Sequence, residues 1–231
     1  MPAKFTLICI IHSIIERDIT EHIVKEAIVI LRRETNVNLE LRIITFFPKN
    51  SQVPKWIPLF ADENILRFTG KFALLKDPHD AIKMTANAAD LINIGRDNFP
   101  ISSISVFLTG FVAEMESVQS DNLFKIIKLN VTEFAESSQG GPTGRTFCIK
   151  CRYLKSDRRI EKKATRIRKN SNLMITGDMI YIDETLEYIV EIQDINFLPM
   201  SIAMNIESPT GESALSLYSW LAGQSSGRIS A

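Results

Sequence analysis

Cysteine, histidine and long hydrophobic runs are scarce in this sequence. It holds three cysteines and three histidines among 231 residues. An odd and sparse set of cysteines makes a poor disulfide framework and fits a reducing compartment. No run of about 18 uncharged apolar residues occurs, as a membrane-spanning helix would need. The apolar run near the N-terminus lacks the flanks of a secretory signal. We therefore expect an intracellular protein that does not cross a membrane.

Catalytic and metal-binding patterns are also lacking. The glycine-rich run Gly140 to Gly144 does not have the Gly-Lys-Ser/Thr ending by which a phosphate-binding loop holds a nucleotide. Cys148 and Cys151 have CxxC spacing, but no second pair and no nearby histidine accompanies them. Strand alternation would also send their two sulfurs to opposite faces. We expect a protein that is not an enzyme and that holds no metal or cofactor.

The balance of charge is even over the chain but uneven along it. The net charge is zero, with 27 basic and 27 acidic residues, which argues against a general affinity for polyanions. From Lys150 to Lys169, however, ten basic residues stand against two acidic ones, a local balance of +8 that leaves −8 for the remainder. Such a concentration creates a local field that can attract an anionic partner.

A short phrase is repeated along the chain. Thr69-Gly70 and Thr176-Gly177 each follow an apolar, strand-like run, and each is followed further on by an apolar phrase that contains Asn-Phe, in Leu91 to Pro100 and in Val190 to Pro199. Repetition in the same order predicts a duplicated β module. A third occurrence, Thr109-Gly110, lies in the strand that opens the second copy.

The first half predicts five strands from period-two apolar patterning and β-branched residues. They run roughly over Phe5 to His12, Lys25 to Arg33, Leu39 to Phe47, Ile65 to Leu75 and Leu91 to Phe99. Thr35 to Asn38 predicts the turn of a hairpin between the second and the third. Ile19 to Arg33 also fits a helix with Ile23, Ala27 and Ile30 on one face, and periodicity leaves both interpretations open.

The second half repeats this plan with a helix added. Its predicted strands are Ile104 to Met115, Phe124 to Phe134, Thr146 to Leu154, Leu173 to Ile182 and Tyr188 to Phe197. Ser137 to Gly144 has the composition of a hairpin loop between the second and the third strand. In the basic segment, Ile160, Ala164 and Ile167 recur at helical spacing, which predicts a short helix between the third and the fourth strand.

Five strands with a helix between the third and the fourth are the plan of an OB-fold, a partly open Greek-key barrel. Ile104 to Val112 resembles the first strand of that fold, in which a glycine, here Gly110, permits sharp coiling. Leu173 to Ile182 and Tyr188 to Phe197 resemble its closing hairpin. Together with Phe68 to Phe99, they are similar to fungal tandem OB-fold proteins that bind single-stranded nucleic acid in the style of replication protein A. The resemblance covers about residues 4 to 200.

The resemblance implies an all-β chain of two tandem, five-stranded OB-like Greek-key barrels, with a short helix in the second. We expect the first barrel in residues 1–101 and the second in residues 102–205. Residues 206–231 then form a C-terminal tail with a weak helical pattern in Ser213 to Trp220, followed by a disordered end.

The third strand of the second unit carries the expected binding residues. Alternation separates Phe147, Ile149, Cys151 and Tyr153, which would fill the barrel, from Cys148, Lys150 and Arg152 on the other face. OB grooves bind a strand by cations that follow its phosphates and by rings that stack on its bases. We expect stacking by Tyr153 at the strand end, although such a ring is more often core. We expect phosphate contacts from Lys150, Arg152, Lys155, Arg158, Arg159, Lys163, Arg166, Arg168 and Lys169.

These features favour non-catalytic binding of single-stranded DNA or RNA, with DNA preferred, by the second barrel. The alternative is a protein-interaction scaffold whose basic helix binds an acidic partner, and a basic run of this kind is also typical of a solvated face or a nuclear localisation patch. A nuclear location is therefore expected. Arg42, Arg67 and Lys71 of the first unit are isolated among acids, which suits a structural or protein-binding role. The sequence leaves the oligomeric state open.

Overall fold

A computed structural model describes residues 3–19, 22–32, 39–49, 56–75, 82–115, 123–136, 142–182 and 187–199. Three sequence predictions lie outside these residues in whole or in large part. They are the turn at Thr35 to Asn38, the hairpin loop at Ser137 to Gly144 and the C-terminal tail of residues 206–231. The end of the predicted loop is described, and there the prediction is wrong, because Pro142 to Gly144 pair with Phe134 to Glu136 as part of a strand.

Five strands in the first half close into a barrel. They are β1 (Ala3–Asp18), β2 (His22–Leu31), β3 (Leu39–Pro48), β4 (Ile65–Leu74) and β5 (Ile82–Leu91). Hydrogen bonding follows the order β1-β2-β3-β5-β4 and returns to β1, and among these five pairs of strands β3–β5 alone is parallel. The helical alternative for Ile19 to Arg33 is wrong. Ala27, Val29 and Leu31 are buried at every second position, because β2 is paired on both sides and turns one face to the core.

The fifth strand of this barrel is not where the sequence predicts it. The strand expected over Leu91 to Phe99 is wrong, since β5 ends at Leu91 and Arg96–Asn98 form a 3-10 turn. Pairing with β4 is already complete when β5 reaches Leu91. The alanines, Asn87 and Asp90 give β5 little β-propensity, which explains why pattern reasoning misses it. Phe99 is nevertheless buried, and it packs in a small cluster with Ile10 and Ile65.

The second half forms a barrel of the same topology, and here the predicted elements are confirmed. Its elements are β6 (Ile104–Met115), β7 (Phe124–Glu136), β8 (Pro142–Leu154), α1 (Arg158–Ala164), β9 (Asn172–Ile182) and β10 (Glu187–Phe197). The strands close in the order β6-β7-β8-β10-β9. Asp157 caps α1 by accepting hydrogen bonds from the amides of Arg159 and Ile160 at 3.0 and 3.1 Å. Ile160 and Ala164 are buried on its inner face.

The all-β, tandem OB-like architecture is therefore confirmed. The barrels join where β1 pairs antiparallel with β6, from Ala3 opposite Leu108 to Thr6 opposite Ser105. The Phe72 and Phe147 rings also meet, with centroids 5.9 Å apart. The described residues up to Leu198 belong to one compact unit. A division into separate domains at residues 101 and 102 stays a prediction.

The repeated Thr-Gly phrases occupy equivalent places in the two barrels. Gly70 lies in β4 and Gly177 in β9, each on the fourth strand of its barrel. A Cβ atom built on Gly70 would lie 2.1 Å from the carbonyl oxygen of Thr85, and one on Gly177 would lie 2.1 Å from that of Glu191. Each glycine thus lets the fourth strand approach the backbone of the fifth.

We expect Gly177→Ala to destabilise the protein by about 1–3 kcal/mol, because the added methyl group meets backbone that cannot rotate away. Urea unfolding followed by circular dichroism measures this loss. The matched control is Gly95→Ala, where the nearest atom to an added Cβ is Asn98 Nδ2 at 3.9 Å and the backbone φ is −67°. Equal unfolding midpoints for the two variants would contradict the close-approach argument.

Candidate nucleic-acid interface

Strand β8 divides its side chains as the alternation predicts. Phe147, Ile149, Cys151 and Tyr153 are buried in the barrel, whereas Cys148 is exposed and Lys150 and Arg152 are half-buried on the outer face. The two sulfurs therefore lie on opposite faces. Burial raises the pKa of the Cys151 thiol, and it also raises that of Cys148.

Tyr153 is part of the barrel core. Its side chain is 3% exposed, and burial raises the pKa of its phenol, with the neighbouring carboxylate of Glu161 adding to the effect. The stacking role expected for this ring stays a prediction. It requires that the ring first leave the core, because a nucleobase must reach an open aromatic face.

Lys150 and Arg152 of β8 are held by carboxylates of β10. The strands β8 and β10 are parallel neighbours, and Glu191 lies opposite Arg152. Lys150 Nζ is 2.7 Å from Glu187 Oε2, and Arg152 Nε donates to Glu191 Oε1 at 3.0 Å. The Arg152 guanidinium also lies over the Phe124 ring at 4.3 Å from its centroid. Lys150 and Arg152 can therefore bind a phosphate only after their ion pairs with Glu187 and Glu191 open.

Asp194 holds two more of the predicted cations. Lys163 Nζ lies 2.6 Å and Arg159 Nη1 3.2 Å from Asp194 Oδ1, and Arg159 also donates to the carbonyl oxygen of Gln193. The hydrogen bond from Lys163 lowers the pKa of the Asp194 carboxyl, against the opposing effect of burial. The carboxylates of β10 thus neutralise part of the basic segment.

The remaining cations of the basic segment present more open charge. Arg158, Lys162 and Lys169 are exposed and form no ion pair with any described residue. Arg166 lies over the Phe197 ring at 5.1 Å. Lys155 is half-buried and donates its amide to the Leu123 carbonyl oxygen at 3.0 Å. The phosphate contacts expected from the sequence do not include Lys162, although it is spaced four residues from both Arg158 and Arg166.

Two cations of the turn after α1 border a groove beside β6. Arg168 and Lys169 line one side, and Ala113, Glu114 and Met115 of β6 line the other. The Asn170 amide donates to the Val112 carbonyl oxygen at 2.8 Å, which fixes the two sides together. Two hydrogen bonds of 2.8 Å, to the carbonyl oxygens of Thr165 and Ile167, hold the Arg168 guanidinium in place.

Phe111 is an exposed ring immediately before this groove. It lies on the outer face of β6, opposite Asn172 of β9, and its side chain is 40% exposed. Phe111 is not among the binding residues expected from the sequence. The signal was available, because alternation along Ile104 to Met115 already sends Phe111 to the face opposite Val112.

In the part of the chain that is described, no helix is long and apolar enough to cross a membrane. Among the same residues, no group of three or more histidine, cysteine, aspartate or glutamate side chains is placed to hold a metal ion.

Comparison with known proteins gives the fold. Neither a protein-family model nor a curated protein matches this chain. The wild-type single-stranded DNA binding protein from Thermus aquaticus has a similar structure, with a TM-score of 0.55 and 12% identity over 86% of this chain and 93% of that chain. A deletion mutant of the same protein gives a TM-score of 0.53 and 12% identity over 89% of this chain and 98% of that chain. At this identity the likeness shows a shared tandem architecture.

The Asp194 ion pairs predict a pH-dependent contribution to stability. A carboxyl whose pKa is lowered by folding binds its proton more weakly in the folded state. Its stabilisation is therefore present at neutral pH and is lost as the pH falls through the lowered value. We expect Asp194→Asn to cost up to about 1 kcal/mol at pH 7, since the pair is partly solvated. We expect that difference from wild type to shrink as the pH falls below 4.

Urea unfolding at several pH values measures this difference. The control is Asp97→Asn, which removes an exposed carboxylate that forms no ion pair with a described residue. A destabilisation by Asp194→Asn that stays constant down to about pH 2, below the usual range of an aspartate, would contradict the assignment.

Proposed function

We propose that this chain binds single-stranded DNA without catalysis, mainly through its second barrel. The observation that carries the proposal is the groove in which Arg168 and Lys169 face the end of β6, directly after the exposed ring of Phe111. Cations and an open ring on the same OB-like barrel supply the two kinds of contact that a single strand needs, one for phosphate and one for bases. The shared fold with a bacterial single-stranded DNA binding protein supports DNA as the ligand.

Phosphate binding falls first to the cations without carboxylate partners. Arg158, Lys162, Arg166 and Lys169 offer charge at once, and release of counterions from the DNA would drive their association. Lys150, Arg152, Arg159 and Lys163 have a secondary role in the proposal, because their pairs with β10 must open first. Lys155 and Arg168 have an intermediate role in the proposal and extend the basic surface.

Base stacking falls to Phe111 in this proposal. An aromatic face is open there, whereas Tyr153 is enclosed in the barrel. Stacking tolerates any base, so a strand held in this way is bound with little sequence preference. More specifically, we propose a role in the nucleus that resembles the role of replication protein A. The nuclear location is supported by the basic segment, because short runs rich in lysine and arginine also serve as nuclear localisation patches.

Neutralising the open cations tests the phosphate contacts. We expect the variant Arg158→Gln, Lys162→Gln, Arg166→Gln, Lys169→Gln to bind labelled oligo-dT more weakly. The slope of log affinity against log salt should fall by about 3, because each phosphate contact to a single strand contributes about 0.7. Fluorescence anisotropy over a salt series measures both quantities.

The matched control removes the same charge from the first barrel. Arg17→Gln, Arg42→Gln, Lys49→Gln, Arg96→Gln changes four surface cations that lie in weak, exposed ion pairs. Equal loss of affinity in the two variants would mean that net charge, rather than this surface, governs binding.

Replacing Phe111 tests the stacking contact. We expect Phe111→Ala to weaken binding of oligo-dT by about 1–3 kcal/mol for the base that loses its platform. Phe111→Leu should lose nearly as much, since it keeps apolar area but not a flat ring. Anisotropy titration at fixed salt measures the change, and full affinity in both variants would exclude Phe111 as the platform.

A protein-interaction scaffold is the second candidate function. Trp56 and Leu59, between β3 and β4, are each 72% exposed, and large apolar side chains at the surface are typical of protein contacts. Lack of oligonucleotide affinity, together with protein partners that remain after nuclease treatment, would favour this candidate over DNA binding.

A further inference from the structure

Strand pairing lines up side chains across both barrels on the outer face of the shared sheet. Thr85 of β5 lies opposite Lys71 of β4, Lys71 opposite Lys4 of β1, and Lys4 opposite Phe107 of β6. Residues at directly opposed positions share a face. The alternate positions, such as Phe5 and Gly70, are buried, so this row faces outward. We call it the junction row.

The junction row concentrates lysine on the first barrel. Lys4 and Lys71 occupy directly opposed positions, where like charges repel. Lys83 adds a third cation, since it lines one small pocket with Lys71 and Thr85. Lys4 is exposed, and neither Lys4 nor Lys83 forms an ion pair with a described residue. Among the described residues that line this pocket, Glu133 is the one with an acidic side chain.

The outer face of β6 connects this row to the proposed DNA surface. Phe107, Thr109 and Phe111 follow one another on that face, with Val112 and Leu108 turned to the core. Phe107 and Phe111 are four residues apart, or about 13 Å along an extended strand. Strand β6 therefore carries two outward rings. Phe107 lies opposite Lys4 of the first barrel, and Phe111 stands two residues before Ala113, where β6 begins to line the groove of Arg168 and Lys169.

We propose that a single DNA strand bound by the second barrel continues along β6 onto the first barrel, where Lys4 and Lys83 bind its phosphates. This inference rests on the proposed function and adds a second phosphate site. The charge of the row suits a phosphate backbone, and its position continues the surface already assigned to DNA. Lys4 and Lys71 come together only through the pairing of β1 with β4, because they are far apart in the sequence.

The test compares oligonucleotides of two lengths. A dT oligomer of about 6 nucleotides fits within one barrel, whereas one of about 30 exceeds the 4–16 nucleotides typical of an OB-fold and reaches both. We expect Lys4→Gln, Lys83→Gln to weaken binding of the long oligomer and to lower its salt slope by about 1.4, which is two contacts at about 0.7 each. Binding of the short oligomer should not change.

The control is Arg17→Gln, Arg96→Gln, which removes two cations from the first barrel away from β6. Thermal unfolding by circular dichroism verifies that both variants are folded. Suppose that wild type binds the long oligomer and that the two variants bind it with equal affinity and equal salt slope. This result would overturn the inference but leave the proposed function unaffected. No binding by wild type would overturn both. A third outcome is that Lys4→Gln, Lys83→Gln weakens binding of a poly-glutamate peptide but not binding of the long oligomer. That result would assign the row to acidic peptides and overturn the inference.

Discussion

The short antiparallel pairing between β1 and β6 is the constraint on which the rest of the structure depends. Four residue pairs, from Ala3 with Leu108 to Thr6 with Ser105, turn two closed barrels into one hydrogen-bonded sheet. The register places Phe5 opposite Val106, so both barrels bury the same face at the junction. The outer face of the sheet is then also continuous, so a surface on one barrel extends onto the other.

Buried contacts beside this pairing hold it in place. The carboxylate of Glu133, on β7, is 3% exposed and accepts a hydrogen bond from the Ala3 amide at 3.0 Å. A buried carboxylate is costly unless hydrogen bonds satisfy it, so this contact favours one arrangement of β1 against the second barrel. The contact between Phe72 and Phe147 adds apolar area at the same place. A ligand that spans the sheet would therefore meet cations at defined spacings.

Carboxylates decide which cations are available. The basic segment has a balance of +8 in the sequence, yet in the fold Glu187, Glu191 and Asp194 of β10 lie against four of its cations. The open charge is consequently shifted away from the seam between β8 and β10. It lies on the outer face of α1 and on the turn that follows, next to β6.

The sequence predicts the elements that are coded by local pattern and misses those that depend on register. The strand β6 and the helix α1 follow from alternation and from the spacing of Ile160, Ala164 and Ile167. Strand β5 is not predicted from the sequence, because its alanines have little β-propensity. The pair between Arg152 and Glu191 joins residues 39 positions apart on parallel strands, and no local pattern announces it. For the same reason Lys71, which looks isolated in the sequence, lies opposite Lys4 in the sheet.

The two barrels seal the same end with different side chains, and this difference separates their surfaces. In the second barrel, α1 and the turn after it bury Ile160, Ala164 and Ile167 beneath the sheet. Because the apolar face of this segment is committed to the core, its cations must face outward. In the first barrel, the equivalent segment between β3 and β4 buries Ile57 and Phe60.

That segment turns Trp56 and Leu59 to the surface, and the amide of Ala89 donates to the Trp56 carbonyl oxygen at 3.1 Å. One structural requirement, closure of the barrel end, is therefore met twice with opposite surface chemistry. Both segments keep apolar side chains in the core, while their outward residues are free to differ. A basic surface on one copy and an apolar surface on the other follow from that freedom.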